Sequence, residues 1–391
     1  MKKFLALIMA GMLTLSLAAC GSTDQPAANN EPAPAANNTE AAPTATPAAQ
    51  PEAPAAAQDI KVALLISGNL GDMSFNDSAN EGVVRAGANL GVDIRVVECN
   101  SDASKYEPTL LEFSDEGYDM IIVATNFIEF VEKYADEFPD TRYVIFDGEV
   151  DYSKGSYDNV SCILYKANEA SFLGGFVAAE LTKSGADGTN PEKVIGFLGG
   201  MDIPGINDFL VGYIQGALHA DPETKVASVY SNSFSDSAKG KELTISMIGQ
   251  GSDVNFNVAG GAGTGLIEAC VEAGVKVVGV DSDQALRFES TKPEFSAQIA
   301  TSVLKNVGDS LYRAIDLFTQ DQLAVGSEFL GIAEGGVGLA DNKYYQEQVP
   351  QEIRDQVADL EAKILSGEII VISALGADDS AIAEYISKVR P

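Results

Sequence analysis

The chain has 391 residues, 46% of them hydrophobic, which predicts two or three domains with a sizeable core. It carries 25 Lys and Arg against 57 Asp and Glu, a net charge of -32. That balance argues against a nucleic-acid partner, because neutralising phosphates needs a basic face, and it suits a soluble body outside the cell.

In chain order, the first signal is "MKKFLALIMAGMLTLSLAAC": two lysines, an apolar core, then small residues ahead of Cys20. This predicts a secretory signal peptide over residues 1–19, too short and wrongly flanked for a permanent span. The ending "LAAC" resembles a bacterial lipobox, which implies that Cys20 becomes a lipidated first residue; the plainer reading is an ordinary signal peptide with a chance cysteine. Acyl chains on that thiol would bury enough CH₂ groups for stable anchoring. Residues 20–58 follow as Ala, Pro, Asn, Thr and Glu with almost no large apolar side chain. Such a segment cannot offset its ordering entropy, so a disordered tether is expected there. The remaining cysteines, Cys99, Cys162 and Cys270, are far apart, with no CxxC and no nearby His. They read as buried free thiols, and no metal site is expected.

From Asp59 apolar runs alternate with amphipathic segments. "IKVALLI", "DIRVVEC", "YDMIIVA" and "RYVIFDG" read as strands, separated by the helical "SANEGVVRAGANLG", "YEPTLLEFSDEG" and "FIEFVEKYADEFP". The pattern then repeats with strands "KVIGFLGG", "KVASVYSN", "DVNFNVAGG" and "VKVVGVDSD" between further helices. Apolar runs of this kind are strands covered on both faces, as in parallel sheets with crossover helices. "VDYSKGSYDNVSCILY" reads as a crossing segment, and "GSEFLGIA" and "EIIVIS" as two last strands. The expected fold class is therefore α/β, a type I periplasmic-binding-protein fold with two doubly wound lobes joined by hinge crossovers. Lobe 1 is predicted over 59–160 with 284–320, and lobe 2 over 161–283 with 321–391.

Open α/β sheets bind ligands beyond the carboxyl ends of their strands, and a cleft between hinged lobes closes on its ligand. The strand-end loops supply Asp72, Phe75, Asn76, Asn126, Asp147, Met201, Phe234, Gly261 and Asp281, and Lys305 heads the segment "KNVGDSLYRAI". Phe75 and Phe234, from opposite lobes, could stack a flat ring between them. Asp281 could accept from two vicinal hydroxyls, Asn126 could read a base edge, and Lys305 could donate to a ribose oxygen. Each has a plainer reading: Phe75 as a helix staple, Phe234 as core, Asp281 as a turn cap, Asn126 as a helix cap, Lys305 as a solvated lysine. "GGAGTG" lacks the ending of a phosphate loop and the spacing of a dinucleotide fingerprint. The single histidine, His219, leaves little room for a histidine-based triad or zinc centre.

The blocks "GDMSFNDSANEG", "GFLGGMDIPGINDFLVGYIQGA", "SFSDSAKGKE", "GVDSDQ" and "SVLKNV" together resemble the signature blocks of the Bmp family. These are basic membrane lipoproteins, the purine-nucleoside-binding subunits of ABC importers, and the resemblance covers essentially all of 59–391. It implies that Phe75 and Phe234 sandwich the base, that Asn126 and Asp147 contact it or line its pocket, that Asp281 and Lys305 hold the ribose, and that Met201 and Gly261 line the cleft. It implies no enzyme activity and no cofactor. The implied partners are a nucleoside, a permease with a separate ATPase subunit, and the membrane through the lipid on Cys20, for a monomer on the extracytoplasmic face. A sugar, an autoinducer or riboflavin is the alternative ligand within the same fold, and a nucleoside-processing enzyme the alternative class.

Overall fold

The apolar runs become strands, several buried along their whole length, such as "MIIVA" and "VIGFLG". The computed structural model describes residues 59–391, so the predicted signal peptide, Cys20 and tether lie outside the described residues. The strands are β1 (Lys61–Ile66), β2 (Asp93–Glu98), β3 (Met120–Ala124), β4 (Arg142–Phe146), β5 (Val160–Tyr165), β6 (Val194–Gly199), β7 (Lys225–Tyr230), β8 (Ser252–Val258), β9 (Lys276–Asp281), β10 (Ile299–Lys305), β11 (Gly326–Leu330) and β12 (Val337–Leu339). They form two six-stranded sheets, ordered β11-β5-β4-β3-β1-β2 and β12-β10-β9-β8-β6-β7. Pairing is parallel throughout except between β10 and the short edge strand β12. Parallel pairing needs a crossover between strands; helices supply it for most consecutive pairs, and the helix-free segment 147–159 does so between β4 and β5.

The chain passes between the sheets three times: through the helix Ala167–Ser184, through the helix Val307–Thr319, and through the loop 331–336. This differs from the expected lobe boundaries. Strand β5 belongs to the first sheet, where Tyr143 pairs with Val160, and β10 belongs to the second, where Ile299 pairs with Val277. The crossings therefore fall just after Tyr165 and just after Lys305 rather than near residues 160 and 283. Hydrophobic alternation marks where strands are, but the sheet a strand joins is a long-range pairing that no local pattern encodes. Lys305 accordingly ends a strand instead of heading a helix.

The predicted last strand "EIIVIS" forms no strand and pairs with neither sheet. Helix side chains take the ladder's place. Asn168 Nδ2 donates to the Val371 carbonyl, Gln215 exchanges two bonds with Ile372, and Asp208 Oδ1 accepts from Ala374 N–H and Ser373 Oγ. Cys99, Cys162 and Cys270 are buried and free, and His219 is exposed beside the rings of Phe172 and Phe176.

The helix Phe75–Leu90, which follows β1, meets the crossover helix Val307–Thr319 backbone to backbone. A Cβ placed on Gly82 would lie 2.1 Å from the carbonyl oxygen of Gly308. Gly82→Ala must push these helices apart, and such overpacking costs about 2 kcal/mol. Chemical denaturation should show that loss with an unchanged m-value; an undiminished midpoint would mean the helices slide apart freely.

Candidate ligand-binding cleft

Two aspartates close the cleft ends of central strands, and both have left-handed backbones. Asp147 follows β4 at φ 63°, and Asp281 ends β9 at φ 60°. Short polar side chains tolerate this region better than most, and the kink aims each carboxylate away from the strand's own face. Between them stands Lys305, the last residue of β10, only 3% exposed. Its Nζ lies 3.0 Å from both oxygens of Asp147 and 3.9 Å from Asp281 Oδ1. Three rings surround the ammonium: Phe75 at 4.9 Å, Phe209 at 5.0 Å and Tyr165 at 5.6 Å from their centroids. A cation gains most from such rings when desolvated. Asp147 comes from the first sheet and Lys305 and Asp281 from the second, so this ion pair spans the two lobes.

Burial pushes the Asp281 carboxyl above the usual carboxylate range, against the pull of Lys305 and of a hydrogen bond from Ser74. A buried charge of this kind persists only with partners. Asp72 is also pushed up, to about 6, by burial, although its oxygens accept from three backbone N–H groups, those of Ser74, Asn76 and Asp77. Both folded values lie above the unfolded ones, so by linkage each group's contribution to stability falls as pH rises through that window.

Phe75 opens its helix with its ring half-buried, 5.1 Å from that of Phe146. Phe234, in the loop after β7, is 44% exposed and lies over Gly200, where a Cβ would come within 2.2 Å of the ring. A cavity of about 250 Å³ runs between the lobes here, with Asp72 and Asn76 on one side and Phe234 and Gly261 on the other. Asn76 also donates from Nδ2 to the Asn69 carbonyl, 3.2 Å away, and the Gly261 carbonyl accepts from Thr264. Asn126 is exposed in the turn Thr125–Phe127, which its side chain does not cap, and Met201 is half-buried just after β6. Neither of these two lines that cavity. The structure thus gathers Phe75, Asp147, Asp281 and Lys305 into one cluster and Asp72, Asn76, Phe234 and Gly261 around one cavity.

Sequence reasoning missed Ser74, Tyr165, Phe209 and Gln284. Tyr165 ends a strand and could have been found by that rule; Phe209 sits in a helix and carried no such signal. A second cavity, of about 530 Å³, opens beside Asp281 and is bordered by Glu81, Arg85, Arg287 and Asp309. Across it Arg287 holds both oxygens of Glu81 at 2.6 Å, a bidentate pair joining the lobes.

Two wound sheets, three crossings and a polar interlobe cleft define a type I periplasmic-binding-protein fold. A family model for Bmp, ABC transporter substrate-binding proteins that are PnrA-like, matches residues 59–374, and the chain belongs to this family. Among its relatives, Basic membrane protein A of Borreliella burgdorferi is 31% identical over 83% of this chain and 91% of its own length. The ABC transporter nucleoside-binding protein BmpA of Lactococcus lactis subsp. cremoris is also 31% identical, over 81% of this chain and 90% of its own. An ABC transporter solute-binding protein structure from Aeropyrum pernix K1 superposes with a TM-score of 0.74 at 28% identity, covering 84% of this chain and 98% of that one. The protein is accordingly an ABC transporter substrate-binding protein, and its family is one of binding proteins rather than enzymes.

Proposed function

We propose that the protein captures a nucleoside, a purine nucleoside foremost, in the interlobe cleft and delivers it to an ABC importer. The observation that carries this reading is Lys305, buried between Asp147 and Asp281 beneath the ring of Phe75. Phe75 and Phe234 stack the base from opposite lobes, and Asn126 and Asp147 meet its polar edge. Asp281 and Lys305 bind the ribose hydroxyls, with Met201 and Gly261 lining the cleft. Asp72 and Asn76 shape the adjoining wall. Two carboxylates around one ammonium suit a neutral, hydroxyl-rich ligand; a phosphate would meet like charge. The chain also lacks Trp, the ring on which sugars commonly stack. The nucleoside-binding name of the Lactococcus relative supports the same ligand class.

Lobe closure then presents the loaded protein to a permease served by a separate ATPase subunit. The protein acts as a monomer on the extracytoplasmic face, held by lipid on Cys20 after removal of residues 1–19. Among the described residues no helix is long and apolar enough to cross a membrane. Isothermal titration of ligand-stripped protein with inosine, guanosine, adenosine, cytidine and riboflavin tests the reading. Purine nucleosides should bind most tightly, with Kd at or below the micromolar range. Binding of riboflavin alone would move the ligand class, and silence with all five would sink the proposal.

A further inference from the structure

A serine just before a helix ordinarily turns its hydroxyl back onto the helix's free N–H groups. Ser74 stands before the helix Phe75–Leu90 and makes no such bond. Asp72 takes over the capping, accepting from the N–H groups of Ser74, Asn76 and Asp77. The Ser74 hydroxyl, in a side chain fully buried, instead reaches across the cleft and donates to Asp281 Oδ2.

A second tie lies beside it. Met73 is held at φ 54°, a left-handed backbone that a bulky residue seldom adopts. Its carbonyl accepts from Gln284 Nε2 at 3.2 Å. Gln284 is buried and anchored within the second lobe, where its Oε1 accepts from Asn257 Nδ2 and Val280 N–H, both at 3.2 Å. Local preference is thus overridden at two consecutive residues of one loop, and each deviation delivers a bond to the opposite lobe. Strain kept in such a place is a recurrent mark of binding and switching segments. Both bonds join elements of different sheets, so opening the cleft breaks them.

We propose that Ser74 is a positioning residue: its hydroxyl fixes the Asp281 carboxylate when the lobes close, and so slows ligand release. This rests on the reading of Asp281 as the acceptor for the ribose hydroxyls. With Oδ2 held by Ser74, Asp281 keeps Oδ1 for the ligand, 3.9 Å from Lys305 Nζ and outside hydrogen-bond reach of it. Asp281 is also among the residues that line the larger cavity. Closure and the orientation of the ligand-binding oxygen become one event, which lengthens residence without a direct contact between Ser74 and ligand.

Stopped-flow measurement of association and release, with guanosine and with 2′,3′-dideoxyguanosine, tests this on the ligand-stripped protein. Ser74→Ala should raise the release rate of guanosine about tenfold and leave its association rate unchanged, as expected for losing one charge-assisted bond formed after encounter. Release of the dideoxy ligand, which lacks the diol for Asp281, should change by less than about twofold. Ser74→Thr keeps the hydroxyl and should restore slow release, whereas a space-filling role would make Thr worse than Ala in so tight a site. Wild-type protein that binds neither ligand overturns the nucleoside reading and this proposal with it. Wild-type protein that binds, with Ser74→Ala releasing guanosine at the wild-type rate, accelerating both ligands equally or failing to fold, overturns this proposal alone.

Discussion

Lys305→Met will lower the unfolding free energy of the ligand-free protein by about 3–5 kcal/mol at pH 7, the usual cost of removing one partner from a buried ion pair. The side chain of Lys305 is 4% exposed, that of Asp281 9% and that of Asp147 25%. Without the ammonium, two carboxylates face each other across the cleft with little water to solvate them. The loss should shrink on acidification, and the sign follows from linkage. Asp281 already titrates above its unfolded range because of burial, and Lys305 is the largest influence holding it down. Removing Lys305 raises it further, so the folded variant holds a proton over a pH window where the unfolded chain does not. Stability of the variant therefore falls as pH rises through that window and returns as pH is lowered through it. Denaturant titrations of both proteins at pH 7 and pH 5 check this. A loss below about 1 kcal/mol at pH 7 would place the pair among weak, solvent-screened bridges, and an equal loss at both pH values would remove Asp281 from the account.

Phe75→Ala will raise the Kd for a purine nucleoside roughly ten- to a hundredfold, the range for losing one aromatic face under a base. The sequence alone suggests that this comes with little damage to the fold. The structure changes that expectation, because the half-buried ring packs on Phe146 and against the ammonium of Lys305. A stability loss of about 2 kcal/mol is expected as well, from lost burial and the lost cation–π contact. Phe75→Leu separates the two effects. It retains most of the apolar volume and should recover much of the stability while the affinity stays low. Titration calorimetry and thermal melts on the same samples distinguish the outcomes. A Phe75→Leu protein with wild-type affinity would mean that Phe75 supports the cleft without stacking on the ligand.

These two predictions show how unevenly the site could be read from the chain. Asp281, Asp147 and Phe75 were legible because they follow apolar runs, and ligands of wound sheets sit beyond strand ends. Lys305 was found as a cleft residue but placed on the wrong element, since "SVLKNV" continues smoothly from a strand into a helix. Ser74 was hidden by its own chemistry: before a helix, a serine reads as a cap, but Asp72 does the capping and Ser74 reaches a partner on the opposite lobe that only the fold brings near. Phe209 had no strand-end signal, because a helix delivers it to the cleft from outside the loops, whereas Gln284 directly follows the loop after β9 and opens a short helix, so it was passed over in favour of Asp281. Asn126 and Met201 also obey the strand-end rule, in the loops after β3 and β6, although neither lines the smaller cavity.

Sequence pattern alone was enough for the α/β class and for two wound halves, because burial on both faces makes parallel strands continuous apolar runs. It was also enough for the family, since five blocks in order constrain far more than any one of them. Only the tertiary structure decided which sheet takes β5 and β10, and with them where the chain crosses between the lobes. The same holds for the partners of Asp281 and Lys305. Hydrophobic periodicity is a property of neighbours along the chain, whereas sheet order and a salt bridge between residues 147 and 305 arise between segments that meet only after the chain has folded.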